Sequence, residues 1–122
     1  MKILESAENY LEAILIIKNE KGQVRAIDIV NYLNFSKPSV SIAMKQLEAN
    51  GFIKRNEEGH IFLTEDGLEI AETIYERHRV LTEMFMKLGV SETAAKNDAC
   101  KIEHHISEES FAAIKGHLKN FK

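Results

Sequence analysis

Cys100, Glu103 and His104 stand at positions i, i+3 and i+4, a spacing that sets a thiol, a carboxylate and an imidazole on one face of a helix. That mixture suits a divalent transition ion better than Ca²⁺ or Mg²⁺, which prefer all-oxygen shells. The chain has one cysteine and so no Cys-x-x-Cys pair, which excludes a zinc-finger pattern. His105 points about 100° away from the same face. Each residue also has a plainer reading. A lone cysteine is most often a small core residue, and a histidine on an apolar stripe, as His78 is, is most often a hydrogen-bonded core group. Spacing alone leaves a metal centre and a structural cluster both open. A third reading makes Cys100 a nucleophile with His104 as its base, an enzyme class disfavoured by the absence of a phosphate-binding glycine loop or oxyanion-hole motif.

These side chains must be positioned by a small protein of 122 residues, 44% hydrophobic, enough for one core or two small lobes. No basic start precedes an apolar segment, and the longest apolar run, Ala13 to Ile17, is far too short to span a bilayer. The expected setting is the cytoplasm, with no membrane partner, and a lone cysteine there is a reduced thiol rather than half of a bridge. The net charge of −3 conceals an asymmetry. Residues 1–56 hold eight Lys/Arg against six Asp/Glu, whereas the remainder holds eight against thirteen. Between Lys37 and Arg55 the bases Lys37, Lys45, Lys54 and Arg55 face Glu48 alone, and such local asymmetry is what phosphate binding needs.

The pattern predicts a mainly α chain: an N-terminal winged helix-turn-helix over residues 1–63 with a small β-hairpin wing, then an all-helical dimerisation domain over 64–122. Ser6 is the expected N-cap of a helix over Ala7–Glu20. Ala26–Leu33 is a second helix and Asn34–Phe35 a tight connection. Ser36 caps a third helix to Asn50, with Pro38 in its first turn and Gly51 as the stop. Phe52–Asn56 and His60–Leu63 then read as strands about Glu57-Glu58-Gly59. Thr64 caps a long helix to about Leu88, with Gly67, Ala71, Ile74, His78, Leu81, Phe85 and Leu88 along one stripe. A fifth helix is expected over Glu92–Ile106, and Ser107 opens a last one.

Two helices joined by so short a turn, followed by a glycine-centred hairpin, are the pattern of a double-stranded DNA reader. Ser36, Lys37, Ser39 and Ser41 are placed to reach base edges or phosphates, Pro38 to touch a thymine methyl, and Lys45, Lys54 and Arg55 to neutralise phosphates. The alternative for each serine is helix capping or solvation.

Ser6-Ala7-Glu8-Asn9-Tyr10-Leu11-Glu12, Leu63-Thr64-x-x-Gly67 after the wing, Arg77-His78-Arg79-x-Leu81, and Cys100-x-x-Glu103-His104 occur in an order that resembles the diphtheria toxin repressor and manganese transport regulator (DtxR/MntR) family. The resemblance runs along nearly the whole chain. It implies a homodimeric, metal-activated transcription factor, usually a repressor of metal-uptake genes that binds a palindromic operator, with Mn²⁺ or Fe²⁺ as the activating ion. Carried over by position, Glu12 and His78 match one group of ligands, and Cys100, Glu103 and His104 the other. Asn9 stands where members commonly offer Met or Asp. Thr82 and Lys96 replace a Glu and a His of iron-type members, which favours a site organised around Glu12 and His78 as in manganese-type ones. The resemblance further implies dimer contacts through Ala99, Ile102 and Ile106 and through Phe111, Ile114 and Leu118. The rival reading within regulators is a winged-helix protein that answers to a non-metal ligand.

Overall fold

A computed structural model describes residues 4–120. In chain order the elements are α1 (Glu5–Lys21), α2 (Ala26–Leu33), α3 (Lys37–Ala49), β1 (Ile53–Arg55), β2 (Ile61–Leu63), α4 (Glu65–Lys87), α5 (Glu92–Ile102) and α6 (Glu108–Leu118). The chain divides into two compact units, one ending at Glu72 and one beginning at Thr73, so that the division falls inside α4. No helix among the described residues is long and apolar enough to cross a membrane.

The first unit is built around α1. Its run from Tyr10 to Leu15 is buried without a break, the mark of a helix that is apolar nearly all round rather than along one stripe. The expected Ser6 cap is not used: the helix starts at Glu5 behind Leu4, with Glu5 and Glu8 placing negative charge at the helix's positive end. Ser6 is overruled because the Glu8 amide already bonds the Leu4 carbonyl at 3.1 Å, one turn earlier. The segment after α1 pairs with the wing, since the Ile61 amide donates to the Val24 carbonyl at 2.7 Å and Arg25 bridges His60.

Both helices of the helix-turn-helix begin on side-chain caps. In α2 the Arg25 amide donates to Asp28 Oδ2 at 2.9 Å, half of a capping box. In α3 the Ser39 amide donates to Ser36 Oγ at 3.2 Å, with Pro38 in the first turn. Between them Asn34 takes a left-handed conformation, φ 58°, and Tyr10 of α1 packs edge-on against Phe35 with ring centroids 5.8 Å apart. Val40, Met44 and Leu47, at i, i+4 and i+7, bury the inner stripe of α3.

The wing is antiparallel, pairing Ile53 with Leu63, Lys54 with Phe62 and Arg55 with Ile61. Its strands are three residues each, shorter than the sequence pattern implies. Asn56 is drawn into the turn because its Oδ1 accepts from the Glu58 and His60 amides at 3.0 and 2.9 Å, and Gly59 supplies the positive φ of 84° that closes it.

The second unit contains the remainder of α4 with α5 and α6. Ile74, Leu81, Ala95, Ala99, Phe111 and Leu118 form its core. Ser91 and Ser107 cap α5 and α6 by accepting from the Ala94 and Ser110 amides. The stripe predicted along α4 holds as far as Leu81, after which Phe85 is half-buried and Leu88 is 65% exposed. α5 ends at Ile102, four residues before the expected Ile106. Both the His105 and Ile106 amides turn back onto the Ile102 carbonyl, while the carbonyls of Glu103 and Ile106 go to the Arg77 guanidinium instead of continuing a helix.

A histidine beside a buried carboxylate and an exposed polar helix face

His78 sits on α4 and Glu103 immediately beyond the end of α5, and both belong to the second unit. Nδ1 of His78 lies 3.1 Å from Oε1 of Glu103. The Glu103 side chain is 0% exposed, and its second oxygen, Oε2, is buried without a hydrogen-bond partner. Leaving a carboxylate oxygen dry and unpaired is costly, and a cation is the partner that would offset it. The 3.1 Å separation fits a hydrogen bond, and it also fits two neighbouring ligand atoms on one ion with bonds of about 2.0–2.2 Å. By donor type, charge and the orphaned oxygen, the pair suits a divalent metal.

The early end of α5 falls among the expected donors: Cys100 lies within α5 and is exposed, Glu103 is the fully buried cap residue, still with helical backbone angles, and His104 is half-buried in the following turn. In the first unit, Glu12 lies on α1 and is 6% exposed, and Asn9 one turn earlier is half-buried. Glu12 and Glu103 are the two buried charged residues among those described. Of the two departures from iron-type members, Thr82 has a buried hydroxyl without a partner, and Lys96 is a surface residue 3.9 Å from Glu92.

Arg77 is a residue whose role the spacing did not reveal. Its Nη1 donates to the carbonyls of Glu103 at 3.2 Å and Ile106 at 2.9 Å, and its guanidinium lies over the Phe111 ring, 5.6 Å from the centroid. The only sequence signal was its place beside His78.

On the first unit, Ser36, Lys37, Pro38, Ser39, Ser41 and Lys45 are all exposed on α3 and its cap, opposite Val40, Met44 and Leu47. Ser36 and Ser39 are occupied with each other, Oγ to Oγ at 2.8 Å, as well as in capping. Ile42 shares this surface at 58% exposure, a large aliphatic residue that the reading of polar positions passed over. On the wing, Lys54 is exposed, whereas Arg55 is held by Glu48 at 2.7 Å. The contact keeps the Glu48 carboxyl below the usual carboxylate range, mainly through the side-chain hydrogen bond from Arg55.

The chain matches two family models end to end. Residues 2–61 match the iron dependent repressor N-terminal DNA binding domain, and residues 64–122 match the iron dependent repressor metal binding and dimerisation domain. It is 34% identical over 111 residues to the transcriptional regulator MntR of Escherichia coli O157:H7, covering 91% of this chain and 72% of the relative. It is 32% identical over 120 residues to an uncharacterized HTH-type transcriptional regulator of Methanocaldococcus jannaschii, covering 97% of this chain and 96% of the relative. Among solved structures, a manganese-dependent transcriptional repressor in complex with manganese aligns at a TM-score of 0.85 and 23% identity, covering 93% of this chain and 52% of that one. The chain spans about half the length of several of the solved chains it matches, this one included. With both family models matched in sequence order and the mostly helical, winged architecture present, the chain belongs to the iron-dependent repressor family, the group of the DtxR and MntR regulators.

Proposed function

We propose that this protein is a metal-dependent, DNA-binding transcriptional regulator of the cytoplasm, a repressor of metal-uptake genes activated by Mn²⁺ or Fe²⁺, and not an enzyme. The observation that carries the reading is the buried Glu103 carboxylate, one oxygen on His78 and the other unpartnered, in the part of the chain that matches a metal-binding domain. Glu12, His78 and Glu103 are the core ligands, with Cys100 and His104 as further donors and Asn9 as a neutral amide beside Glu12. Bound metal supplies a positive charge that neutralises these carboxylates. The protein's part is to hold Glu103 dry and His78 beside it, so that these two donors of the second unit are in place before the ion arrives.

Residues 1–63 act as the DNA-binding domain and 64–122 as the metal-binding and dimerisation domain. Lys37, Ser41, Lys45 and Lys54, with Ser36, Pro38, Ser39 and Arg55, form the DNA-facing set, and a homodimer on a palindromic operator presents two copies of α3. The expected dimer contact keeps Ile102, which is exposed, and Ile106 and Ile114, which are half-buried, as apolar residues offered to a second copy, while Ala99, Phe111 and Leu118 of the same set also pack within the chain.

Activation requires little energy. Raising DNA affinity 10- to 100-fold takes a coupling free energy of about 1.4 to 2.7 kcal/mol. The test is binding of the purified protein to its own upstream DNA at fixed salt, in chelator and then with anaerobic Mn²⁺ or Fe²⁺. Tighter binding with metal, lost in Glu103→Ala, is expected. Equal affinity in chelator would favour a winged-helix regulator of another ligand.

A further inference from the structure

We infer that Arg77 is a positioning residue that fixes the Glu103 carboxylate for metal by gripping the backbone of the same residue. Residue 103 is held at both ends from consecutive positions on α4: its carboxylate by His78 and its carbonyl by Arg77. The guanidinium also takes the Ile106 carbonyl and covers Phe111 in the first turn of α6. One side chain thereby joins three helices at the point where α5 stops.

The placement has an electrostatic reason. The carbonyls at the C-terminal end of a helix carry the negative end of its dipole, so a cation at the α5 cap residue Glu103 is favoured, and the planar Arg77 guanidinium directs the two N–H groups of Nη1 to the Glu103 and Ile106 carbonyls while lying flat over Phe111. Its Nε is buried and unpartnered, so the guanidinium is aimed at these two oxygens at the expense of its own full satisfaction. Lys keeps the charge but lacks the flat face that lies on Phe111 and the planar geometry that fixes the direction of the Nη1 donors. The turn from Glu103 to His105 has no regular helix to hold it, and Glu103 has no exposed route to reorient. Loosening its carbonyl therefore moves its carboxylate relative to His78.

This inference rests on the metal-binding reading, and its test separates the two. Two variants are compared with the wild type: Arg77→Lys, and Lys115→Met, which removes another tie between α6 and α4, Lys115 to Glu76 at 2.9 Å, without touching residue 103. Mn²⁺ binding is followed by loss of the free-ion paramagnetic resonance signal, and amide exchange of residues 102–107 is measured without metal. Arg77→Lys is expected to weaken Mn²⁺ binding about 10- to 100-fold, the range found when groups that orient metal ligands are changed, and to speed exchange in that segment. Lys115→Met is expected to leave both unchanged. Wild-type affinity and exchange in Arg77→Lys, or equal losses in the two variants, would overturn the positioning role. A wild type that takes up no Mn²⁺ would overturn the metal reading instead, with the exchange arm still deciding whether Arg77 holds the turn.

Discussion

His78 meets Glu103 across 3.1 Å with the carboxylate wholly withdrawn from solvent. A pair so placed serves either as a neutralised core contact or as half of a metal shell, and substitution separates these roles. Glu103→Gln preserves shape and can still accept from His78, but removes the charge that a divalent ion requires. We expect it to fold with little change in melting temperature and to lose Mn²⁺ binding at least about tenfold. Calorimetric titration of metal alongside a thermal melt measures both, and retained affinity would sink the ligand role.

Cys100 is exposed while its neighbour in the ligand set is buried, so its contribution is expected to be one of preference rather than presence. Thiolate favours softer ions, and hard Mn²⁺ gains least from it. Cys100→Ser is expected to weaken Zn²⁺ and Cd²⁺ binding by a larger factor than Mn²⁺ binding. Competition titrations with a chromophoric chelator give the three ratios, and equal ratios would show that the thiol ligates nothing.

Much of this architecture is readable from local chemistry. Ser36 with Pro38, Gly51, Gly59, Thr64 and Ser107 mark their turns and caps because each acts on backbone groups within a few residues. What local pattern cannot supply is competition from distant groups. The end of α5 is decided by Arg77, 26 positions before Glu103, and no spacing rule within residues 92–106 reports it. The reading of Cys100, Glu103 and His104 along one continuous helix did not foresee that Glu103 would be the cap and His104 part of the turn after it, for the same reason. Arg55 is comparable: its charge is plain in the sequence, but its engagement by Glu48 arises only when β1 comes beside α3.

Gly67 is in the middle of the first turns of α4, where alanine would ordinarily raise helix stability by about 1 kcal/mol. Here a Cβ would collide with the Phe52 carbonyl oxygen and press within 3.4 Å of Leu63. That carbonyl is fixed, since it accepts from the Thr64 amide at 3.1 Å, while Thr64 Oγ1 bonds the Gly51 carbonyl at 2.7 Å. Gly67→Ala is expected to destabilise by about 1–3 kcal/mol, the usual cost of overpacking. Urea denaturation measures it, and a stabilised variant would contradict the close approach.

Asp28 links acidity to the start of α2. Its carboxyl is held below the usual carboxylate range chiefly by the Arg25 amide and secondarily by Lys21, 3.1 Å away. A depressed folded-state pKa means stability that is present above the unfolded value and is lost as pH falls through the folded one. Asp28→Ala is expected to cost about 1 kcal/mol at neutral pH, as loss of a cap does, with the difference from wild type shrinking below pH 4. Melts from pH 3 to 7 test the convergence; a gap that stays constant with pH would assign the loss to packing.

The cations proposed to face DNA are not equivalent. Lys45 and Lys54 are exposed and enter no ion pair among the described residues, whereas Arg55 must first leave Glu48. Each phosphate contact releases about one counterion, so Lys45→Ala and Lys54→Ala are each expected to reduce the slope of log affinity against log salt by about one unit. Arg55→Ala is expected to change it less, and Glu48→Ala to raise affinity on any sequence by freeing the guanidinium. Ile42→Ala differs in kind: an exposed aliphatic side chain on α3 has the thymine methyl as its apolar partner in the major groove, so its loss relaxes base preference and leaves the salt slope unchanged. Selection from random duplexes by wild type and variant, followed by salt titrations, reads both quantities. Identical selected sequences from the two proteins would remove Ile42 from base reading, and unchanged slopes in the lysine variants would move the phosphate contacts elsewhere.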